Sequence, residues 1–198
     1  MKGFTLKGQT RVLGVDDGPY IRGSSRTILV LTVYRLDRYI DGIMTAEVAT
    51  DGDDSSEVIA EMLNRSRFKE QVRCIVSDGA CLAGFNVLDM DDLHERAGVP
   101  VVTCSDEEPD TASIGDALRA AFGDRDERLS LITAHRPVRL ELKDGPCWVR
   151  KVGIGSEDAE GLVRKCTIHG RTPEPIRISH LLAKALYEHI EVGYSRGK

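Results

Sequence analysis

A strand-sized apolar run that ends in two carboxylates stands near the start of the chain: Arg11-Val-Leu-Gly-Val-Asp-Asp17. Two later β-like runs end in the same way, one in the acidic segment 51–54 and the other, Val72–Ser77, in Asp78. Carboxylates at strand ends, where a rigid backbone meets an open loop, supply the hard oxygen ligands that Mg²⁺ prefers. The pattern indicates metal-assisted chemistry on a phosphate.

The bulk composition is that of an ordinary globular protein. With 198 residues, of which 41% are hydrophobic and 30% charged, the chain can build one α/β domain spanning residues 1–198. The longest apolar stretch, Thr27–Val33, is strand-sized and too short to cross a membrane. The N-terminus lacks the apolar core of a secretory signal, so we expect a cytoplasmic protein. Five dispersed cysteines without a Cys-x-x-Cys pair are typical of reduced thiols and disfavour zinc.

The charge is unevenly distributed along the chain. Considered alone, the net charge of −5 disfavours nucleic acid as a partner. Residues 1–134 carry 15 Lys+Arg against 24 Asp+Glu, a balance of −9, whereas residues 135–198 carry 12 against 8, a balance of +4. An acidic part that binds metal and a basic part that binds phosphate are compatible with one cleft, although scatter over a solvated surface explains the charges equally well.

The order of predicted elements indicates the fold. We predict strands at 11–16, 25–35, 39–50, 72–77 and 99–104, a hairpin of 138–142 with 147–152, and helices at 54–66, 89–97, 111–122, 156–166 and 176–191. This is the order of a ribonuclease H-like α/β fold, a mixed sheet flanked by helices, here with a small C-terminal extension of a hairpin plus helices. By analogy with that fold, the first strand is central and Asp16 lies beside Asp78.

The aspartates differ in how well they suit a metal site. Neighbouring residues of a strand point to opposite faces, so only one of Asp16 and Asp17 can join a shared site, and we favour Asp16. Asp78-Gly79 follows a buried strand and is the strongest candidate, although such a pair also suits a plain turn. In segment 51–54, Asp54 opens a capping box with Glu57, and Asp51 and Asp53 compete with it as ligands.

A cationic stripe is predicted on the last helix. Arg177, His180 and Lys184 stand at i, i+3 and i+7 and therefore share one face. Arg177 and Lys184 suit the binding of substrate phosphate, and His180 suits metal ligation or proton transfer. The alternative is the solvated face of an amphipathic helix.

The chain resembles archaeal proteins of the endonuclease dU family, which are similar to endonuclease V. The resemblance runs through nearly the whole chain and is carried by Val12–Tyr20, Thr50–Asp54, Asp78-Gly79, Ala83–Met90, Val99–Val102, Pro173–His180 and Tyr194–Gly197. The link to endonuclease V rests on Gly14-Val-Asp16, Asp78-Gly79 and the Pro-Glu-Pro-x-Arg-x-x-His segment that ends at His180.

The resemblance implies a ribonuclease H-like fold and Mg²⁺-dependent cleavage of nucleic acid near a deaminated base such as deoxyuridine, as in DNA repair. Mn²⁺ is the alternative ion, and DNA is favoured over RNA as the partner. Asp16 and Asp78 would be the paired metal-binding aspartates, with Asp54 or a neighbour as the third ligand, and His180 would join them in catalysis.

One departure from endonuclease V concerns strand separation. The Pro-Tyr-Ile-Pro wedge of endonuclease V is replaced here by Thr45–Thr50, and Pro19-Tyr-Ile21 lies elsewhere. A preference for single strands, in which a base is flipped at least cost, is therefore expected. Two alternative functions remain at this stage: a non-catalytic nucleic-acid-binding protein, and a metal-dependent hydrolase of small phosphorylated substrates.

Overall fold

The computed structural model describes residues 6–19, 24–123 and 126–195, without the side chains of residues 126 and 188–195. Parts of the quoted family pattern therefore lie outside the described residues, namely Tyr20, Ile21, the side chain of Tyr194, and Arg196-Gly197.

Nine strands form within these ranges. They are β1 (Arg11–Asp17), β2 (Arg26–Arg35), β3 (Tyr39–Ala49), β4 (Val72–Asp78), β5 (Cys81–Leu82), β6 (Asn86–Val87), β7 (Val101–Ser105), β8 (Val138–Leu142) and β9 (Gly145–Val152). Seven of the described strands make one sheet of order β3-β2-β1-β4-β7-β9-β8, and β5 pairs with β6 in a small hairpin.

The described residues also form six helices. They are α1 (Ser55–Arg65), α2 (Met90–Ala97), α3 (Thr111–Phe122), α4 (Asp126–Ala134), α5 (Ser156–Cys166) and α6 (Glu174–Ser195). None of these helices is long and apolar enough to cross a membrane.

The first strand is central and lies beside the strand that follows the first helix, as was predicted. β1 is central, pairing antiparallel with β2 and parallel with β4, and β4 pairs parallel with β7. The β8–β9 hairpin extends the same sheet, because β9 runs antiparallel beside β7. The ribonuclease H-like α/β fold with flanking helices is thus confirmed.

Alternation along β1 separates the core into two layers. Leu13 and Val15 are fully buried in a cluster that includes side chains of α1 and α2. Val12 is fully buried on the other face, in a cluster that includes side chains of α5 and Ile176 of α6. A third, smaller cluster joins α3, α4 and the β5–β6 hairpin.

Helix α6 lies against the centre of the sheet because Gly14 leaves room for it. A Cβ atom on Gly14 would lie 2.3 Å from the carbonyl carbon and oxygen of Pro175. One turn later, the buried Ser179 Oγ lies 3.1 Å from the carbonyl oxygen of Gly14 and 2.8 Å from Thr32 Oγ1. These contacts fix the position of the next helical residue, His180, relative to the end of β1.

Some local predictions are wrong. Asp54 occupies the N-cap position of α1, but its side chain makes no capping hydrogen bond, so the predicted capping box does not form. Helix α4 and the β5–β6 hairpin were not predicted. Helix α6 begins at Glu174, two residues before its predicted start, and extends to Ser195.

Candidate active site

The strand register brings Asp16 and Asp78 together. In the parallel pair of β1 and β4, Val15 lies opposite Ser77, and the two aspartates are the next residue of each strand. Both therefore lie at the carboxyl end of the sheet, where open α/β sheets commonly bind ligands.

A cavity of about 420 Å³ opens at this strand end. It is lined by Asp16, Asp17, Gly18, Pro19, Asp78, His180 and Lys184, and we call it the acidic cleft. Four of the residues predicted for the site therefore line one cavity: Asp16, Asp78, His180 and Lys184.

Asp16 is the buried carboxylate of the acidic cleft, with only 4% of its surface exposed. Its Oδ2 lies 2.9 Å from Nδ1 of His180, and its Oδ1 accepts a hydrogen bond of 2.9 Å from the backbone N–H of Asp17. Burial is the main cause that raises the pKa of Asp16 to about 8, and the negative charges of Asp78 and Asp17 contribute to the same rise. A cation bound nearby would strongly favour the ionised form of this carboxyl group.

Asp78 lies at the exposed side of the same cleft. Desolvation by the surrounding protein raises the pKa of Asp78 to about 6, with the charges of Asp106 and Asp17 adding to the effect and His180 opposing it. The pKa of Asp16 rises more than that of Asp78, and the charge of Asp78 is among the causes that raise it.

Asp17 points away from Asp16, as the alternation along a strand requires. Its Oδ2 accepts a hydrogen bond of 2.8 Å from the backbone N–H of Ala83, in the turn between β5 and β6. Burial raises the pKa of Asp17. Asp17 thus adds negative charge to the acidic cleft while it anchors the β5–β6 hairpin.

The acidic segment 51–54 lies outside the residues that line the acidic cleft. Asp51 Oδ1 accepts a 2.8 Å hydrogen bond from the backbone N–H of Phe85. Asp54 accepts hydrogen bonds of 3.1 and 3.2 Å from the backbone N–H of Ala49 and one of 2.6 Å from Asn86 Nδ2. Asp53 is exposed. Asp51 and Asp54 therefore hold loops together, and Asp53 keeps its carboxylate in solvent.

Only two of the three residues of the predicted cationic stripe on helix α6 line the acidic cleft. His180 and the exposed Lys184 line the acidic cleft. Arg177 does not line it, and its guanidinium pairs with the buried carboxylate of Glu174, with Nη2 2.6 Å and Nε 3.0 Å from Oε2.

Asp106 is a neighbour that the prediction missed. It directly follows β7, and its charge acts on Asp78. Its carboxylate lies 3.3 Å from Thr172 Oγ1 and 3.8 Å from the guanidinium of Arg171. The signal was present in the sequence, because a carboxylate follows a buried strand here just as it does at Asp78.

The donor set of the acidic cleft fits a hard divalent cation. Among the described residues, no group of three or more His, Cys, Asp or Glu side chains is arranged to hold a metal ion. Mg²⁺ does not need three such ligands, because it usually binds one or two carboxylates and completes its octahedron with water and substrate phosphate. Asp16 and Asp78 could supply those two carboxylates, and His180 adds a nitrogen beside them.

Sequence comparison finds one family along most of the chain. The family model described as endonuclease dU matches residues 8–187. A protein named UPF0215 protein from Methanothermobacter thermautotrophicus is 39% identical over 194 residues, which cover 97% of this chain and 93% of that protein.

Structure comparison finds the same architecture in solved proteins. A crystal structure of a protein of unknown function from Archaeoglobus fulgidus is 30% identical, with a TM-score of 0.78 over 89% of this chain and 97% of that one. Endonuclease V of Ciona intestinalis, solved with a 24mer DNA containing an inosine followed by a ribo-adenosine, has a TM-score of 0.62 at 14% identity, over 91% of this chain and 87% of that one. At that identity the likeness concerns the fold.

Proposed function

The chain belongs to the endonuclease dU family, and we propose that it is a metal-dependent endonuclease that hydrolyses a phosphodiester bond of nucleic acid near a deaminated base. The family and the endonuclease V-like fold support a nuclease role. The observation that carries the finer proposal is the pairing of Asp16 and Asp78 at adjacent strand ends, with His180 2.9 Å from Asp16.

Asp16 and Asp78 would hold Mg²⁺, or Mn²⁺ in its place. A bound divalent ion lowers the pKa of a water ligand and offsets the charge that develops on phosphate. The raised pKa values of both carboxyl groups support this assignment, because burial and neighbouring negative charges disfavour the ionised carboxylates unless a cation is bound beside them. Asp54, which was predicted as a third ligand, is bonded to Ala49 and Asn86, so we assign it a supporting role in the loop.

His180 and Lys184 would act on the substrate itself. The His180 side chain is 61% exposed although its Nδ1 contacts the buried Asp16, so its other face can reach a phosphate oxygen or a water molecule. Asp16 orients the imidazole, which suits it to carry a proton during hydrolysis. Lys184 lies one helical turn further along the cleft and could neutralise a backbone phosphate.

The proposed substrate is a strand with a deaminated base, and DNA is favoured over RNA. The family description names dU, and the fold is shared with an endonuclease V that was solved bound to inosine-containing DNA. A single-stranded or locally opened substrate is favoured, because such a base is unstacked at least cost.

Cleavage of end-labelled oligonucleotides tests the proposal. Single- and double-stranded substrates with one uracil, one hypoxanthine or only normal bases would be incubated with Mg²⁺, with Mn²⁺ and with EDTA. We expect metal-dependent cuts near the deaminated base and none with EDTA. Binding without a product under every condition would instead support a non-catalytic nucleic-acid-binding protein, and turnover confined to free nucleotides would support a hydrolase of small phosphorylated substrates.

A further inference from the structure

A second cavity opens beside the acidic cleft, between helix α6 and strands β2 and β3. Its volume is about 400 Å³. We call it the tyrosine groove, and its walls include Arg26, Thr27 and Ile28 of β2, Thr45 and Glu47 of β3, and Tyr187 of α6. None of these six residues lines the acidic cleft, so the role proposed for that cleft does not account for the groove.

The strand register places the tyrosine groove on the same face of the sheet as Asp16. Asp16 lies opposite Val30, and Val30 lies opposite Thr45. Because cross-strand partners project from one face, Thr45 faces the same side as Asp16. Ile28 and Glu47 are also cross-strand partners, two residues further along their strands, and face that side as well. Neighbouring strands lie about 4.8 Å apart, so Thr45 is roughly 10 Å from Asp16 across the sheet.

The acidic cleft and the tyrosine groove adjoin at Gly18. Gly18 lines the acidic cleft, and its backbone N–H donates a 2.8 Å hydrogen bond to the carbonyl oxygen of Ile28, which lines the groove. A Cβ atom on Gly18 would lie 2.8 Å from Cγ2 of Ile28 and 3.2 Å from Oγ1 of Thr27, another groove residue. One contact between β1 and β2 thus joins the walls of both cavities.

Helix α6 forms a continuous wall along both cavities. His180 and Lys184 line the acidic cleft, and Tyr187 lines the tyrosine groove. These residues stand at i, i+4 and i+7 and therefore share one face of the helix. Since a helix rises 1.5 Å per residue, Tyr187 lies roughly 10 Å beyond His180 along the axis.

This separation suits a strand of nucleic acid that occupies both cavities. At the duplex spacing of 3.4 Å per nucleotide, roughly 10 Å corresponds to about three nucleotides, and to fewer in an extended single strand. A strand whose scissile phosphate lies at Asp16 and Asp78 would therefore bring a base within three nucleotides of that phosphate to the tyrosine groove. Lys184 would lie beside the backbone between the two points.

The composition of the tyrosine groove favours a base over a phosphate as its occupant. Tyr187 and Ile28 are both partly exposed and give the groove an aromatic and an aliphatic wall. The charges of Arg26 and Glu47 offset each other, because Nε of Arg26 lies 3.5 Å from Oε2 of Glu47. Nη2 of Arg26 also donates a 2.8 Å hydrogen bond to the carbonyl oxygen of Glu47. An aromatic and aliphatic cavity with few polar groups is typical of a site for a planar ligand.

We propose that the tyrosine groove binds one base of the substrate strand, beside the cleavage site and stacked on the ring of Tyr187, an inference that rests on the proposed function and deepens it. Every base has a π face, so this contact holds the strand whatever its sequence. A base in the groove has left the stack of a duplex, so the contact also favours single strands. The groove thus positions the strand, whereas the acidic cleft acts on its phosphate.

The test measures binding separately from cleavage. Asp78→Asn protein would be titrated in Mg²⁺ with labelled single-stranded oligonucleotides that carry one uracil. In each oligonucleotide, one of the nearby nucleotides on either side of the uracil is replaced by an abasic residue. We expect one position, or two adjacent ones on the same side, to weaken binding on the order of tenfold, the usual effect of losing one base–aromatic stack. The other positions should have little effect.

Two variants of Tyr187 in the same background connect the sensitive base to the groove. Tyr187→Leu removes the ring and should bind the intact oligonucleotide on the order of tenfold more weakly. The abasic residue at the sensitive position should then cost no further affinity, because the same contact is already lost. Tyr187→Phe keeps the ring and should bind as the parent does. Tyr39→Leu is the matched control, since Tyr39 is 65% exposed at the opposite end of β3 and should leave binding unchanged.

Three results would overturn the inference: parental affinity in Tyr187→Leu, an equal loss of affinity in Tyr187→Phe, or effects of Tyr187→Leu and the abasic residue that add. If circular dichroism shows that Tyr187→Leu is unfolded, the abasic scan decides, and equal affinity at every position overturns the inference.

The outcomes also separate the groove from the proposed function. Metal-dependent cleavage by the wild type, with binding that is indifferent to Tyr187→Leu, would refute only the groove. A sensitive base that depends on Tyr187, without cleavage by the wild type under any condition, would refute only the endonuclease. A failure to bind any oligonucleotide would refute both.

Discussion

Nδ1 of His180 lies 2.9 Å from Oδ2 of Asp16, which connects the C-terminal helix to the end of the central strand. Two features keep this contact in place. Gly14 allows α6 to approach β1 closely, and the Ser179 hydroxyl donates a hydrogen bond to the carbonyl oxygen of Gly14. A buried carboxylate thereby fixes the ring of a largely exposed imidazole. Such a pair is pre-organised for proton transfer or for orienting a metal-bound water.

Replacement of His180 by alanine should slow cleavage by about 10²-fold or more, the usual contribution of a positioned proton carrier. The measurement is the rate of single-turnover cleavage. His169→Ala is the control, since His169 is exposed and lies outside the acidic cleft. Cleavage by His180→Ala at the wild-type rate would contradict this role.

The raised pKa of Asp16 predicts a specific dependence of stability on pH. Its pKa rises from 3.8 to about 8, so between these values the folded state binds more protons than the unfolded state. The contribution of Asp16 to stability therefore falls as pH rises from about 4 to 8. In EDTA at pH 8, Asp16→Asn should be more stable than the wild type by about 1–3 kcal/mol, and the difference should vanish near pH 4.

Chemical denaturation at several pH values measures this difference. Asp116→Asn is the control, because the Asp116 side chain is 75% exposed and should show no such trend. If the difference in unfolding free energy between Asp16→Asn and the wild type stays constant from pH 4 to pH 8, burial does not destabilise the ionised carboxyl group of Asp16.

The close approach of α6 to β1 predicts that Gly14 cannot be replaced. A Cβ at this position would lie 2.3 Å from backbone atoms of Pro175, so Gly14→Ala must push the helix outward. We expect a loss of about 2–3 kcal/mol in unfolding free energy, together with reduced cleavage because His180 moves with the helix. Gly8→Ala should change neither, since its Cβ would make an ordinary contact of 3.6 Å. A fully active and stable Gly14→Ala would refute this packing argument.

Lys184 and Arg177 should differ in their effect on substrate binding, although both belong to the predicted cationic stripe. Lys184 lines the acidic cleft, whereas Arg177 is paired with Glu174. Lys184→Ala should weaken binding of all oligonucleotides alike and reduce the slope of log Kd against log salt by about one. Arg177→Ala should leave that slope nearly unchanged. Equal reductions of the slope in both variants would contradict this expectation and would mean that Arg177 and Lys184 both contact substrate phosphates.

The sequence was informative about the sheet because its signals were local. Val72–Asp78 and Arg11–Asp17 are short apolar runs ending in carboxylates, and a known strand order was enough to make them neighbours. Asp106 has the same signal but was overlooked.

Other features depend on contacts between distant segments and could not be predicted in this way. Asp54 matches a capping pattern, but Asn86, 32 residues later, provides a competing hydrogen bond that draws its carboxylate away from the helix. Likewise, Arg128 becomes buried because α4 packs beside segment 51–52, more than 70 residues earlier. Neither partner can be identified from local propensity.

The most direct test of the account is the single-turnover cleavage of a uracil-containing strand in Mg²⁺ by Asp78→Ala, compared with the wild type and with Asp116→Ala as an exposed control. If Asp16 and Asp78 hold the catalytic ion, Asp78→Ala should cleave on the order of 10³-fold more slowly or not at all, while it folds and binds the strand as the wild type does. The control should cleave at the wild-type rate. Cleavage by Asp78→Ala at the rate of the wild type would contradict the proposed site.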